Sequence, residues 1–248
     1  MSEQPTREPT YPPLDVLKPS AEEVWVVDSG PLHVLGAVIP VRMTVVRLAS
    51  GDLWLHSPTR FTDGLRRELE ELGPVAYLVA PDVAHWTFVQ EWQRAYPQAL
   101  TWAAPGLRDR TQVMKSGLRL DRDLENAVAA EWRADFEQAL ISAPGFSEVD
   151  FLHKPSRTLI MTDFVQNFEP ERMSFVGRQF VRLSGVTAPK GGTPIYLRLL
   201  ARRNWNEIRA TAQRLIDRGP ERVIFSHGAW FESDGTARLR QALSWLLR

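Results

Sequence analysis

Short apolar, β-branched runs alternate with amphipathic helical stretches along both halves of this chain. That alternation restricts the fold more than any other feature. A strand must bury a face and a helix must bury a stripe, and two packed sheets with helices outside satisfy both. Residues 24–27 and 43–48 read as strands, and Ser50-Gly51-Asp52 turns the second into Leu53-Trp54-Leu55-His56. Thr62 is placed to cap a helix carrying Leu65, Leu69 and Leu72, with Gly73 at its end. Residues 75–80 form a buried-type strand that runs directly into Pro81-Asp82-Val83-Ala84-His85, followed by a helix over 88–96 and a strand over 100–103.

The second half repeats the style without repeating the sequence. Strands are expected over 136–141 and 149–153, with a return strand over 158–161 ending at Thr162-Asp163. Two or three helices follow, the clearest over 205–217. A strand over 223–225 then ends in Ser226-His227-Gly228, and a helix over 237–247 closes the chain. The expected class is α/β, of the α+β kind, as a four-layer αββα sandwich. Prolines at 5, 9, 12 and 13 block helix and central strand, so residues 1–20 read as an extended arm and 21–248 as one domain.

At 44% hydrophobic residues the chain can bury a sizeable core. Formal net charge is zero, which argues against nucleic acid or an anionic membrane as partner, although a local basic patch is compatible with it. There are no cysteines, which excludes disulfides, thiolate ligands and a cysteine nucleophile and fits a reducing compartment. No secretory h-region is evident, and no stretch approaches the roughly 20 apolar residues of a membrane span. The expectation is a cytoplasmic protein with a small-molecule substrate or ligand and no nucleotide cofactor. Lys190-Gly191-Gly192-Thr193 lacks Walker spacing, and no Gly-x-Ser-x-Gly elbow is present.

Three polar residues stand just after buried-type strands: His85, Asp163 and His227. Strands position such groups rigidly, and two histidines with one carboxylate suit a single zinc or a non-haem iron(II). Each also has a structural reading. His85 would serve as a hydrogen-bonded pocket histidine, Asp163 as a loop carboxylate capping a helix, and His227 as a turn residue before Gly228. Asp82 is either a general base or extra ligand, or the centre of an Asx turn after Pro81. His56, at a strand end beside the expected pocket, is grouped with Asp82 as a candidate catalytic residue. Trp86 and Trp230 are candidates for an apolar pocket wall, with core packing as the alternative.

The run Leu53-Trp54-Leu55-His56-Ser57-Pro58, the helix to Leu72 and the segment Val79-Ala80-Pro81-Asp82-Val83-Ala84-His85 resemble the opening of metallo-β-lactamase domains. The strand ending at Asp163 and the segment Val223-Ile224-Phe225-Ser226-His227-Gly228 resemble their later ligand-bearing strands. A subfamily of unknown function is more similar still, at Leu-Trp-x-His-Ser-Pro and Ala-Pro-(Asn or Asp)-x-x-His. The resemblance implies the αββα sandwich and a metal motif His-x-His-x-Asp-His. Here Ala80, Asp82 and Ala84 stand at its first three ligand positions, and His85 alone is kept. Pro144-Gly145-Phe146 resembles a Pro-Gly-His that supplies a further ligand in some relatives. Asp163 corresponds to the bridging aspartate and His227 to the last histidine. The resemblance therefore implies one divalent metal at His85, Asp163 and His227, and a metal-dependent hydrolase of a small substrate. A non-catalytic scaffold for ligand or protein binding is the alternative, and a mononuclear iron oxidoreductase a further one.

Overall fold

The structure, a computed structural model, describes residues 9–34 and 37–248. The first seven strands form one sheet in chain order. They are β1 (Lys18–Ala21), β2 (Val24–Val34), β3 (Ala37–Arg47), β4 (Leu53–His56), β5 (Val75–Ala80), β6 (Leu100–Ala103) and β7 (Arg122–Asp123). Pairing is antiparallel from β1 to β4 and parallel from β4 to β7. The second sheet has the order β11-β10-β9-β8. Its strands are β8 (Phe136–Ala143), β9 (Phe146–His153), β10 (Thr158–Ile160) and β11 (Arg222–Ile224), and only β10 and β11 run parallel.

Three apolar clusters define four layers. Trp54, Val79, Trp102, Trp132, Phe136 and Phe151 belong to the cluster between the sheets. Helices α1 (Asp63–Leu72), α2 (Val89–Ala95) and α3 (Thr111–Ser116) cover the outer face of the first sheet through Leu65, Leu69, Trp92 and Val113. The second sheet is covered through Leu197, Ile208, Leu215, Leu239 and Leu246. These lie on α5 (Ile195–Ala201), α6 (Trp205–Asp217), α7 (Gly235–Ala242) and α8 (Ser244–Leu247), which follow α4 (Phe175–Ser184). The expected αββα sandwich is the observed one. Among the described residues no helix is long and apolar enough to cross a membrane.

Local signals set several boundaries. Thr62 Oγ1 accepts the Leu65 N–H at 3.2 Å, starting α1 where a capping threonine should. The closing helical stretch is split in two at Leu243. Strands β8 and β9 run longer than expected and meet at a tight hairpin where Gly145 takes φ 76°. Of the segment read as an arm, residues 1–8 lie outside the described residues and β1 takes up Lys18 onward. Between them, Asp15 donates its N–H to Asp28 O at 2.8 Å.

At the hairpin between β9 and β10, His153 is buried against Phe136, and its Nδ1 lies 2.8 Å from Ser156 Oγ. Burial lowers its pKa to about 4 from the ordinary 6.5, against the pull of Asp135 and Glu23. The unfolded chain therefore binds this proton more readily, and the stabilisation is full above pH 6.5 and is lost as pH falls towards 4. We expect His153→Gln to remove on the order of 2 kcal/mol from the acid-side decline of stability. Urea titrations of both proteins between those pH values check it, and parallel profiles would contradict it.

Candidate metal centre

The site lies at the carboxyl ends of the strands, at the seam between the two sheets. Asp82 forms an isolated bridge with Glu148 of β9, and Val149 donates its N–H to Pro81 O at 2.8 Å. This ties the loop after β5 to the second sheet. Parallel pairing of β10 with β11 brings the chain beyond each, with Asp163 and His227, to the same end.

His85, Asp163 and His227 converge. The two Nε2 atoms are 3.2 Å apart, His227 Nε2 is 3.2 Å from Asp163 Oδ1, and His85 Nε2 is 3.5 Å from it. All three side chains are largely buried, and Asp163, at 15% exposure, opens furthest to solvent. The outer nitrogens are engaged. His227 Nδ1 lies 2.7 Å from Pro40 O, and a carbonyl only accepts, so Nδ1 carries a proton and Nε2 is the nitrogen turned towards Asp163. His85 Nδ1 lies 2.5 Å from Ser57 Oγ, to which Ser226 Oγ also donates at 3.3 Å.

Asp82 stands beside this triangle. Its Oδ1 accepts the N–H groups of Ala84 and His85, both at 2.7 Å, so the Asx turn forms and fixes the backbone of His85. Its Oδ2 is buried without a hydrogen-bond partner and lies 3.9 Å from His85 Nε2. Burial, opposed by His85 and reinforced by Asp163 and Glu148, pushes the Asp82 carboxyl up to about 8. Burial alone would lower His85, but the carboxyls of Asp82 and Asp163 outweigh it and raise it to about 9. Asp163 is held well below the ordinary range: burial would raise it, and His85 and His227 reverse that. The buried carboxyls thus favour positive charge at this point, which a protonated His85 or a bound cation would equally meet.

His56 is not part of the triangle. It stacks on Trp54 at 5.3 Å and meets Phe151 edge-on, and its Nε2 is buried without a partner. Burial, with His85 nearby, pushes its pKa well down, so the ring is neutral packing behind the site. Trp86 packs on the helix-side cluster of the first sheet, and Trp230 on the two clusters flanking the second. Lys190–Thr193 is built into the fold: Gly192 exchanges backbone hydrogen bonds with Gln166, and Thr193 Oγ1 accepts from Trp245 Nε1.

The most consequential residue that sequence reasoning missed is Glu148. Its Oε1 accepts the Thr162 N–H at 2.8 Å, and its Oε2 accepts those of Asp163 and Phe164 at 2.7 and 2.8 Å. It holds the backbone that carries Asp163. Burial and the adjacent Asp150 push Glu148 up while these donors pull it back, and burial takes Asp150 to about 7. Arg42 of β3 is the counterpart for His227. It donates to Phe225 O at 3.0 Å and Gly228 O at 2.8 Å, spanning the histidine. Gly228 has φ 88°, and a Cβ there would overlap the Asn167 carbonyl, so only glycine fits that turn. Ser57 was also missed, and it holds the left-handed region at φ 55°. Neither Glu148 nor Arg42 carries a sequence signal beyond being a charge inside an apolar strand.

Two of the eroded motif positions, those of Ala80 and Phe146, are apolar and packed, whereas Ala84 is exposed. Ala80 is fully buried in the helix-side cluster. Phe146 is buried over the second sheet and stacks on Phe164.

A family model described as "Domain of unknown function (DUF4336)" matches residues 21–180. No curated protein matches the sequence. Among solved structures, a metallo-β-lactamase from Pontibacter korlensis is similar at 13% identity and TM-score 0.59, covering 93% of this chain and 97% of its own. The mono-zinc form of the metallo-β-lactamase FIM-1 from Pseudomonas aeruginosa is similar at 10% identity and TM-score 0.59, over 98% and 96% of the two chains. A metal-soaked flavodiiron core from Synechocystis sp. gives 12% identity and TM-score 0.64, over 93% of this chain and 60% of that one. At these identities the likeness is one of fold.

Proposed function

Given that the chain belongs to the DUF4336 family and has the metallo-β-lactamase fold, we propose that it is a mononuclear metalloprotein acting as a hydrolase on a small substrate. The observation that carries this is the triangle of the two Nε2 atoms and Asp163 Oδ1, with edges of 3.2–3.5 Å. Donors around a tetrahedral zinc at 2.0–2.1 Å are separated by about 3.3–3.4 Å, so the residues fit such an ion without rearrangement. The unpartnered Asp82 Oδ2 supplies a fourth oxygen beside them. A divalent ion held there contributes Lewis acidity, polarising an ester-type bond and acidifying water. Asp82 is placed to take a proton from an attacking water or to serve as a further ligand. Pro40 O and Ser57 Oγ fix the two imidazoles, and Glu148 fixes the backbone of Asp163. The same donor set matches the two-histidine, one-carboxylate face of mononuclear iron sites. Ala80 and Phe146 supply no ligand, which favours one ion over two.

Metal analysis of untagged protein, loaded in turn with zinc, iron(II) and manganese(II), should give one equivalent of at least one of them together with a raised melting temperature. The stoichiometry should fall to zero in His85→Ala and His227→Ala and stay at one in His33→Ala, whose ring is exposed. No bound metal after any loading would overturn the proposal. With metal bound, failure to cleave esters, thioesters, lactones and phosphodiesters would remove the hydrolase half and leave a binding module. Asp82→Asn keeps the Oδ1 acceptor, so it should fold, bind the ion more weakly and lose most turnover.

A further inference from the structure

Eight of the nine large hydrophobic side chains that are exposed among the described residues sit on α4 and α5. On α4, Phe175, Val176, Phe180 and Leu183 recur at helical spacing on one face, and Phe175 and Leu183 are 74% and 80% exposed. The opposite face of α4 carries the buried Gly177, Val181 and Ser184. On α5, Ile195, Tyr196, Leu199 and Leu200 point outward while Leu197 and Ala201 are buried. The helices are joined by Arg198, which donates to Gly185 O at 3.2 Å at the end of α4. An apolar surface of this density is not ordinary scatter and marks a docking face.

The charge within this stretch is one-sided. From Arg172 to Asn206 the sequence has seven Arg or Lys and no Asp or Glu, with Glu171 and Glu207 at its margins and Arg172 paired to Glu169. Arg182, Lys190, Arg202 and Arg203 are exposed. A two-fold contact between copies of this chain would bring that stretch against itself, cation against cation, with no acid in it to compensate. Apolar side chains rimmed by cations instead match a bilayer interface bearing anionic headgroups, where the side chains enter the acyl boundary and the guanidinium groups meet phosphate and carboxylate. The zero net charge of the whole chain averages this patch away.

We propose that α4 and α5 form a peripheral docking face for anionic lipid bilayers. The docking itself does not depend on any metal.

Flotation of the full chain with phosphatidylcholine vesicles, with and without phosphatidylserine, tests this. Partition to the anionic vesicles should exceed that to neutral ones by about tenfold or more and fall at high salt. The triple variant Phe175→Ser, Leu183→Ser, Leu199→Ser changes only exposed side chains and should keep its melting temperature while losing vesicle binding. Arg182→Glu with Arg203→Glu should abolish the preference for anionic lipid. Equal partition to both vesicles overturns the anionic assignment. No partition at all overturns the proposal, and a dimer dissolved by the triple variant would then identify a self-interface. Vesicle binding that appears only after deletion of residues 1–8 would overturn it too, assigning the face to the chain's own N-terminal segment.

Discussion

Replacing Glu148 with alanine is expected to cost on the order of 3–5 kcal/mol of stability. Three backbone N–H groups, those of Thr162, Asp163 and Phe164, give their hydrogen bonds to this carboxylate, which is itself fully buried. Alanine offers no acceptor in its place, so the three donors lose their partner. Relief of repulsion from Asp150 and Asp82 offsets part of the cost but not most of it, because Asp150 can hold a proton near neutral pH. Asp150→Asn is the internal contrast. It removes the repulsion, keeps every donor satisfied and should change stability by less than about 1 kcal/mol. Urea denaturation of the two variants at neutral pH separates the cases. A loss below about 1 kcal/mol for Glu148→Ala would mean the three N–H groups find other partners.

Arg42→Ala should be comparably severe, again on the order of 3–5 kcal/mol. The guanidinium has a side-chain exposure of 2% and meets Asp28 Oδ1 at 2.5 Å while donating to Phe225 O and Gly228 O. Its removal leaves Asp28 facing only Lys18, and strips two buried carbonyls on either side of His227. Arg42→Lys should recover little, since an ammonium cannot span the carboxylate and two carbonyls with the geometry of a planar fork. Melting curves settle the ranking, and a full rescue by lysine would show that charge alone matters at this position.

Much of the fold was legible because burial and periodicity coincide in it. Residues 75–80 read as a strand on apolar content alone, and Trp205–Asp217 read as a helix on its spacing. Asp163 and His227 stood out as polar residues directly after such runs. Residues with the opposite logic were not legible. Glu148 interrupts the apolar pattern of β9, so sequence reasoning began that strand at Val149, although β9 starts at Phe146. Its three partners lie 14 to 16 residues away and are supplied by tertiary structure. Asp28 and Arg42 escaped notice in β2 and β3 for the same reason, each being acceptable inside because of partners that tertiary structure supplies. His56 shows the converse error. A strand-end histidine suggested chemistry, whereas Trp54 and Phe151 enclose it as part of the packing. The outward faces of α4 and α5 could not be read either. Periodicity reveals that a helix has an apolar face, but not whether anything in the fold covers it.

The packing of Ala80 and Phe146 makes a second metal position hard to build into this chain. The two sit in different clusters, one over each sheet, both at 8% exposure or less. A histidine at Ala80 must crowd a filled core, at about 1–3 kcal/mol, and one at Phe146 must bury a polar ring among apolar neighbours. Neither substitution offers a second ion a usable set of ligands until the other is made. Either single substitution would therefore give a chain that is less stable and no better supplied with ligands, so installing a second ion calls for both changes together with a repacked core on each sheet.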